Sequence, residues 1–304
     1  MITIWLPDQS AEQVMGGLPD GFRADVWTGS APPDSAGQVE IVIPPLPALR
    51  PDLALLAKLP MLRLVQLLSA GAEKVIPYVP PGVALGVARG AHDDVVAEWI
   101  VAVTLAQLRS LPRFISAQRS RQWDFARTDT LGGKSVLILG YGSIGAVLAR
   151  LLQPFDVTVL PVARRPRPGV SVLADLPSLL PSADVVVLLV PVTDETTGMV
   201  DAAFLASMKD GALLVNAARG AVVNTAALAA ELSSGRLLAA LDVTDPEPLP
   251  EGDALWSAPG LLITPHVGGA AGQPMARSMV LVRAQLERYA AGEPLRDLVG
   301  ADGY

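Results

Sequence analysis

Cysteine is absent from this chain of 304 residues, and histidine occurs only twice, as His92 and His266. The lack of cysteine excludes disulfides, thiolate metal sites and a cysteine nucleophile, and it fits a reducing cytoplasm. Chemistry that needs a side chain titrating near neutral pH therefore has very few candidates. Charged residues make up 17% of the chain and hydrophobic residues 51%, which indicates a globular protein rather than a disordered one.

Long hydrophobic runs are also missing. Apolar stretches such as VVVLLVPV are too short to span a bilayer, and the first residues, MITIWLPDQS, lack the pattern of a signal peptide. A formal net charge of −7 argues against broad binding to nucleic acid, so any basic site must be local. We expect a small-molecule ligand, with no nucleic-acid partner, no membrane partner and no metal ion.

Short β-branched runs alternate with longer helical segments, which is typical of parallel sheets with crossover helices. The predicted strands are ITIWL, ADVW, VEIVI, LRLVQLL and VALGVA in the first third, then SVLIL, VTVL, DVVVLLV, GALLVN, LLAALDV and LLIT. The segment DDVVAEWIVAVTLAQLRSL between the two groups has the length and the initial Asp of a helix. A helix is also predicted from Ala271 to Ala290, where it could return to the first domain. The sequence thus predicts an α/β protein with two parallel sheets.

Two polar residues near the predicted central helix have open interpretations. Glu98, in an apolar stretch, is either a paired buried charge or part of a face turned to water. His92, next to Asp93 and Asp94, is interpreted as a residue of the helix start rather than as a catalyst.

A glycine-rich turn follows the strand SVLIL. In SVLILGYGSIGAVLARLL, Gly140, Gly142 and Gly145 lie between a predicted strand and a predicted helix. Such glycines allow a tight turn, close approach of the backbone to a pyrophosphate and close packing of helix on strand. The string alone could be a structural turn, but its context favours a dinucleotide site.

Three arginines follow the next predicted strand. VTVLPVA ends at Ala163, where an NAD site would place a carboxylate for the ribose hydroxyls, and Arg164, Arg165 and Arg167 come next. Guanidinium groups suit a phosphate, so this pattern favours the 2′-phosphate of NADP. The alternative is a solvated loop whose arginines pair with acidic neighbours.

Three further motifs occur in order along the chain: VNAARG with Arg219, LDVTDPEP with Asp242 and Glu247, and TPHVGG with His266. Together with the glycine-rich turn, they resemble the D-isomer-specific 2-hydroxyacid dehydrogenases over nearly the whole chain. The resemblance implies two Rossmann- or flavodoxin-like doubly wound domains with an active-site cleft between them. It implies a substrate-binding domain of residues 1–91 plus 271–304 and a dinucleotide-binding domain of residues 92–270.

The resemblance also implies roles for individual residues. Arg219 would bind the substrate, His266 would be the acid/base and Glu247 its partner. Asp242 would face the nicotinamide carboxamide, and backbone N–H groups of Ala70 and Gly71, in LLSAGAE, would hold the substrate carboxylate. The remaining residues expected to line the cofactor are Gly140, Tyr141, Gly142, Ser143, Ile144, Gly145, Ala163, Arg164, Arg165, Pro191, Thr196 and Ala218.

The expected reaction is reduction of a small 2-keto acid, of the glyoxylate or hydroxypyruvate type, by NADPH or NADH in a cytoplasmic homodimer. A dinucleotide-sensing corepressor of the same fold is an alternative, as is a dehydrogenase of another small acid such as 3-phosphoglycerate or phosphite. Three residues stay open at this point. Arg277 is either a second anchor for the substrate carboxylate or simply a charged residue on a helix. Trp123 either lines the pocket or packs in the core, and Gln273 has no assigned role.

Overall fold

The computed structural model describes residues 1–46, 51–271 and 274–300. The chain divides into two compact units, which we call unit 1 (Met1–His92 with Gly272–Tyr304) and unit 2 (Asp93–Ala271). Each unit is built on one parallel sheet, so the predicted α/β class with two parallel sheets is confirmed.

The sheet of unit 1 has five parallel strands in the spatial order β2-β1-β3-β4-β5. Their bounds are Ile2–Leu6 (β1), Phe22–Val26 (β2), Val39–Val42 (β3), Leu64–Gln66 (β4) and Ala84–Gly86 (β5). Successive strand residues point to opposite faces. Ile4 and Leu6 therefore pack in one core with helices α1 (Ala11–Val14) and α8 (Pro274–Ala291), while Trp5 packs in the core of the opposite face.

Residues near the end of the described chain cover one edge of this sheet. The N–H of Val87 donates to the carbonyl of Asp297 at 3.0 Å, and the N–H of Val299 donates to that of Leu85 at 2.8 Å. Gly86 and Leu298 form an antiparallel bridge between them. The edge of β5 is thus paired rather than open.

The sheet of unit 2 has six parallel strands in the spatial order β7-β6-β8-β9-β10-β11. Their bounds are Ser135–Leu139 (β6), Thr158–Val162 (β7), Val185–Leu188 (β8), Leu213–Asn216 (β9), Leu238–Leu241 (β10) and Leu261–Ile263 (β11). The order reverses at β6, where a doubly wound sheet opens a crevice for ligands beyond the strand ends.

Helices cover both faces of the second sheet. Their bounds are Asp93–Leu108 (α2), Leu111–Arg119 (α3), Ser143–Leu152 (α4), Leu176–Leu179 (α5), Ala202–Ser207 (α6) and Thr225–Ser233 (α7). Helices α2 and α4 pack on one face, and α5, α6 and α7 pack on the other. Because both faces are buried, the strands read as continuous apolar runs.

The structure differs from the sequence-based expectation in local details. The strand predicted as ADVW runs from Phe22 to Val26, and the helix predicted over DDVVAEWIVAVTLAQLRSL ends at Leu108, after which Ser110 has φ 52° and α3 begins. Glu98 is exposed, so the solvent-facing interpretation holds. Gln273 lies outside the described residues.

In the described part of the chain, no single helix is long and apolar enough to cross a membrane. Helices α2 and α3, bent by 64° at their junction, meet that test of length and composition only when they are taken together.

Candidate active site

The predicted site residues of unit 2 all lie beyond the carboxyl ends of strands of one sheet. The glycine-rich turn follows β6, Ala163 follows β7 and Pro191 follows β8. Arg219, Asp242 and His266 follow β9, β10 and β11, which are neighbours in the sheet. Because parallel strands end at the same edge, the topology gathers these residues along the carboxyl edge.

The glycine-rich turn has the backbone that its sequence predicts. Gly140 has φ 99°, and a Cβ on it would lie 2.6 Å from the carbonyl carbon of Leu189, so a larger residue is excluded there. Gly145 packs α4 onto β6, since a Cβ added to it would lie 3.2 Å from Ile138. In contrast, a Cβ on Gly142 would meet nothing closer than 4.0 Å. Open space beside Gly142 at the start of α4 suits the pyrophosphate of a dinucleotide.

The arginine-rich loop after β7 is clamped at its base. The N–H of Ala163 donates to the carbonyl of Ser171 at 3.0 Å, and the N–H of Ser171 donates to that of Pro161 at 2.9 Å. Arg164 and Arg165 are exposed on the loop between them. Arg167 donates to the backbone carbonyl of Tyr141, and its guanidinium lies 5.4 Å from the centre of that ring. Arg167 therefore ties this loop to the glycine-rich turn, a contact that the sequence does not reveal.

Thr196 is buried in the loop after β8. Its hydroxyl donates to the carbonyl of Pro191 at 2.6 Å and accepts from the N–H of Thr193 at 2.8 Å. These bonds close the loop on itself. They give Thr196 a structural task next to Pro191, whatever it contributes to a cofactor.

The loop that carries Arg219 is shaped by Asn216, which ends β9. The Asn216 side chain accepts from the N–H of Ala218 and donates to the carbonyl of Arg219, both at 3.0 Å. The Arg219 guanidinium is half-buried and donates to the Ala218 carbonyl at 2.7 Å. Next to it, a Cβ on Gly220 would overlap with the carbonyl group of Thr244. The loops after β9 and β10 are thus in direct contact.

Asp242 organises the loop that carries the histidine. Its side chain is buried, and its carboxylate accepts from Thr264 Oγ1 at 2.6 Å and from the N–H groups of Val267 and Gly268 at 2.8 Å. Its backbone carbonyl also accepts from the N–H of His266 at 2.7 Å. The three bonds to the side chain occupy three of the roughly four acceptor positions of a carboxylate.

His266 and Glu247 form the chemically distinctive pair. The Nδ1 atom of His266 lies 3.1 Å from Glu247 Oε1 and 3.2 Å from Oε2. The His266 backbone has φ 55°, a conformation rare outside glycine, and it is held there because its N–H donates to the carbonyls of Asp242 and Thr264. A carboxylate at this distance fixes the orientation of the imidazole ring.

The candidate substrate loop of unit 1 follows β4. Ala70 and Gly71 are half-buried, and the Ser69 hydroxyl donates to the Gly71 carbonyl at 3.2 Å. This loop lies at the carboxyl edge of the five-stranded sheet. Its residues have small side chains, so their backbone N–H groups are accessible as hydrogen-bond donors.

Three residues whose roles the sequence left open now have positions. His92 directly precedes α2, Arg277 is exposed on α8, and Trp123 is 99% exposed, which excludes packing in the core. Sequence reasoning also missed Asn216 and Thr264. Each is the polar residue that closes an apolar strand, and that position could have identified both.

Comparison with known proteins agrees with this geometry. A sequence model described as the NAD binding domain of D-isomer specific 2-hydroxyacid dehydrogenases matches residues 101–268. The glyoxylate reductase/hydroxypyruvate reductase of Homo sapiens is 31% identical over 70% of this chain and 69% of its own length.

Two solved structures cover almost the whole chain. A D-isomer specific 2-hydroxyacid dehydrogenase from Xanthobacter autotrophicus, in complex with NADPH and MES, is similar with a TM-score of 0.83, 29% identity and 98% coverage of both chains. An NADPH-dependent glyoxylate/hydroxypyruvate reductase from Sinorhizobium meliloti, in complex with NADP and sulfate, has a TM-score of 0.86, 25% identity and 100% coverage of both chains.

The fold, the glycine-rich turn and the matched domain define an NAD(P)-dependent oxidoreductase. The chain belongs to the D-isomer specific 2-hydroxyacid dehydrogenase family, and the resemblance drawn from its four motifs is confirmed.

Proposed function

We propose that this enzyme reduces a small 2-keto acid, of the glyoxylate or hydroxypyruvate type, to the D-2-hydroxy acid with NADPH. The observation that carries the proposal is the His266–Glu247 hydrogen bond on loops that adjoin the loop of Arg219. A carbonyl that accepts a hydride develops negative charge on its oxygen, and a proton donor and a fixed cation stabilise that charge.

In this proposal, His266 gives its proton to the substrate oxygen. Bound reduced nicotinamide supplies the hydride that reaches the carbonyl carbon. Glu247 holds the ring through Nδ1, which leaves Nε2 for the substrate. The proton and the hydride together convert the 2-keto acid into the 2-hydroxy acid.

Anchoring of the substrate falls to Arg219 and to the loop after β4. The planar guanidinium of Arg219 suits a carboxylate and an adjacent carbonyl oxygen, and the N–H groups of Ala70 and Gly71 would hold the carboxylate.

The cofactor is assigned to the carboxyl edge of unit 2, with unit 1 as the substrate-binding unit. Gly142 and the start of α4 would take the pyrophosphate, and the remaining acceptor position of Asp242 would take the carboxamide. The other residues assigned to the cofactor are Gly140, Tyr141, Ser143, Ile144, Gly145, Pro191, Thr196 and Ala218.

The proposed preference for NADPH rests on Ala163, Arg164 and Arg165. Position 163 has no carboxylate that would repel a phosphate, and the clamp between Ala163 and Ser171 holds the arginines next to the end of β7. The two solved relatives described above bind NADPH or NADP according to their descriptions.

A panel of keto acids tests the proposed reaction. The oxidation of NADPH can be monitored by absorbance with glyoxylate, hydroxypyruvate, pyruvate or phenylpyruvate as the substrate. We expect kcat/KM to be highest for glyoxylate and hydroxypyruvate. A preference for phenylpyruvate would overturn the small-substrate assignment. Dinucleotide binding without turnover of any acid would favour the corepressor alternative.

We further propose a homodimer that pairs α3 and residues 120–126 of two copies. Trp123 and Phe125 are 99% and 83% exposed, and they border a groove of ≈ 590 Å³ lined by residues of the same segment. A two-fold axis would place the rings of one copy against the groove of the other. Trp123→Asp should convert a dimer into a monomer in sedimentation experiments, and a monomeric unmodified protein would contradict the proposal. The proposed cytoplasmic location rests on the absence of cysteine.

A further inference from the structure

The buried hydroxyl of Ser278, on helix α8, forms a hydrogen bond with the segment that leads into the candidate substrate loop. Ser278 lies on α8 and is fully buried, and its Oγ atom donates to the backbone carbonyl of Leu68 at 2.7 Å. Leu68 is also buried and lies two residues before Ala70. The two partners are separated by 210 positions in the sequence.

Backbone hydrogen bonds also join the loop to Gly86, the last residue of β5, and to Ala88, which follows that strand. The N–H of Leu67 donates to the Gly86 carbonyl at 2.8 Å, and the N–H of Ala88 donates to the Ser69 carbonyl at 3.0 Å. Leu67 and Ser69 are thus fixed from the sheet, while Leu68 between them is fixed from α8. The bond from Ala88 fixes the Ser69–Ala70 peptide plane, which carries the Ala70 N–H, and the bond from Ser278 fixes the Leu68–Ser69 plane directly before it.

We propose that Ser278 is a positioning residue that aims the N–H groups of Ala70 and Gly71 at the substrate carboxylate. The inference rests on the proposed function of this loop. Recognition by backbone N–H groups needs fixed peptide planes, because a donor that turns away from its acceptor loses most of the hydrogen bond. Ser278 fixes the Leu68–Ser69 plane, which leads into the plane that carries the Ala70 N–H.

Removal of the hydroxyl should act on substrate affinity. In Ser278→Ala the buried carbonyl of Leu68 loses its donor, and the peptide after Leu68 can rotate. We expect KM for the keto acid to rise about 3- to 10-fold, the factor that corresponds to one neutral hydrogen bond. The Kd of NADPH and kcat at saturating keto acid should stay within about twofold of the unmodified enzyme.

Tyr289→Phe is the matched control on the same helix. The Tyr289 hydroxyl donates to Glu40 Oε2 at 3.1 Å, so this variant also removes one hydrogen bond between α8 and the five-stranded sheet, at a site away from the loop. It should lower thermal stability as Ser278→Ala does, without changing KM. A purely structural role of Ser278 would make the two variants alike in every measurement.

Ser278→Cys provides a variant of nearly the same volume if the alanine variant fails to fold, and it should raise KM because a thiol is a weak donor. Ser278→Thr retains the hydroxyl and should restore KM towards the unmodified value. An unchanged KM in both Ser278→Ala and Ser278→Cys would overturn the inference, as would equal changes in KM, kcat and the Kd of NADPH.

Hydrogen exchange of the amides of residues 67–71 separates this inference from the proposed function. Exchange should accelerate in Ser278→Ala and not in Tyr289→Phe. If the unmodified protein reduces no keto acid, the proposed function fails, and the exchange rates still decide whether Ser278 fixes the loop. Unchanged exchange in an active enzyme would reject the inference alone.

Discussion

The two edges of the six-stranded sheet both carry charged side chains, but these side chains have different kinds of partners. At the amino edge, Asp184 precedes β8 and accepts from the N–H of Ser135 at 2.9 Å and from Lys209 Nζ at 2.7 Å. Burial opposes ionisation of this carboxyl, but the hydrogen bonds from Lys209 and Ser135 outweigh burial and keep the pKa of Asp184 below its usual value. At the carboxyl edge, Glu247 contacts His266, and both side chains remain partly exposed.

The difference separates charge that serves the fold from charge to which the proposed function gives a chemical role. Asp184 ties the starts of strands together, so its ionised state stabilises the sheet itself. The groups of the carboxyl edge are held by their own loops and keep a side open to a ligand, as expected for the ligand edge of a doubly wound sheet. Variants at the carboxyl edge should therefore change turnover, and variants at the amino edge should change stability.

The largest effect is expected for His266→Ala. Loss of a general acid should lower kcat by roughly 10²- to 10⁴-fold, while the Kd of NADPH should stay close to that of the unmodified enzyme. Stopped-flow or steady-state kinetics and a dinucleotide titration measure the two quantities. His92→Ala is the control, since it removes the other histidine, and a larger loss in that variant would reverse the assignment.

Arg219→Lys should come next. An ammonium group keeps the charge but cannot reproduce the planar fork of donors, so kcat/KM for the keto acid should fall about tenfold to hundredfold. The melting temperature should change little, because the hydrogen bonds of Asn216 hold the loop independently of the Arg219 side chain. Retention of normal kcat/KM would place the substrate anchor elsewhere.

The cofactor preference should shift in the double variant Ala163→Asp with Arg164→Ser. The new carboxylate repels a 2′-phosphate and one guanidinium contact is lost, so NADPH should bind roughly tenfold to hundredfold more weakly while NADH is used better. Titrations at constant ionic strength measure both affinities. Arg150→Asp, which lowers the net charge by the same two units at an exposed arginine of α4, controls for net charge. An unchanged ratio of the two affinities would show that the arginines form an ordinary solvated loop.

The smallest effect is expected at the amino edge, in Asp184→Asn. The amide can still accept from Ser135, but the ion pair with Lys209 is lost, at a cost of about 1 kcal/mol or less near neutral pH. Because the folded-state pKa of Asp184 is lowered, its contribution exists above the unfolded pKa of about 3.9 and disappears as pH falls through the folded value. Melting curves of both proteins should differ at pH 7 and converge in acid, whereas kcat should be equal.

Much of the fold follows from the sequence because buried parallel strands are continuous apolar runs. Each run quoted as a strand overlaps one, although β2 begins earlier than ADVW suggests and β7 continues beyond VTVL to Val162. The break between α2 and α3 was not predictable, because it depends on a left-handed backbone at Ser110 that hydrophobic periodicity does not encode.

Contacts between motif residues could be anticipated from the sequence, whereas contacts with the residues that hold them could not. The resemblance implied that Glu247 is the partner of His266, and the structure places the two side chains in hydrogen-bond contact. Contacts such as Arg167 with Tyr141, or Ser278 with Leu68, join residues far apart in the sequence without a local pattern. Only the tertiary structure reveals contacts of this kind.

The discontinuity of unit 1 has a consequence for synthesis of the chain. Unit 2 is contiguous, so its six strands can fold as soon as they leave the ribosome, whereas the core of unit 1 lacks Met279, Val282 and Leu286 until α8 has been made. At about 5–20 residues per second, translation of residues 93–271 takes roughly 10–40 s, during which the apolar face of β1 and β3 has no helix α8 to cover it. A nascent chain therefore exposes Ile4 and Ile41 for longer than any strand of unit 2, and this face is the natural place for a chaperone to bind.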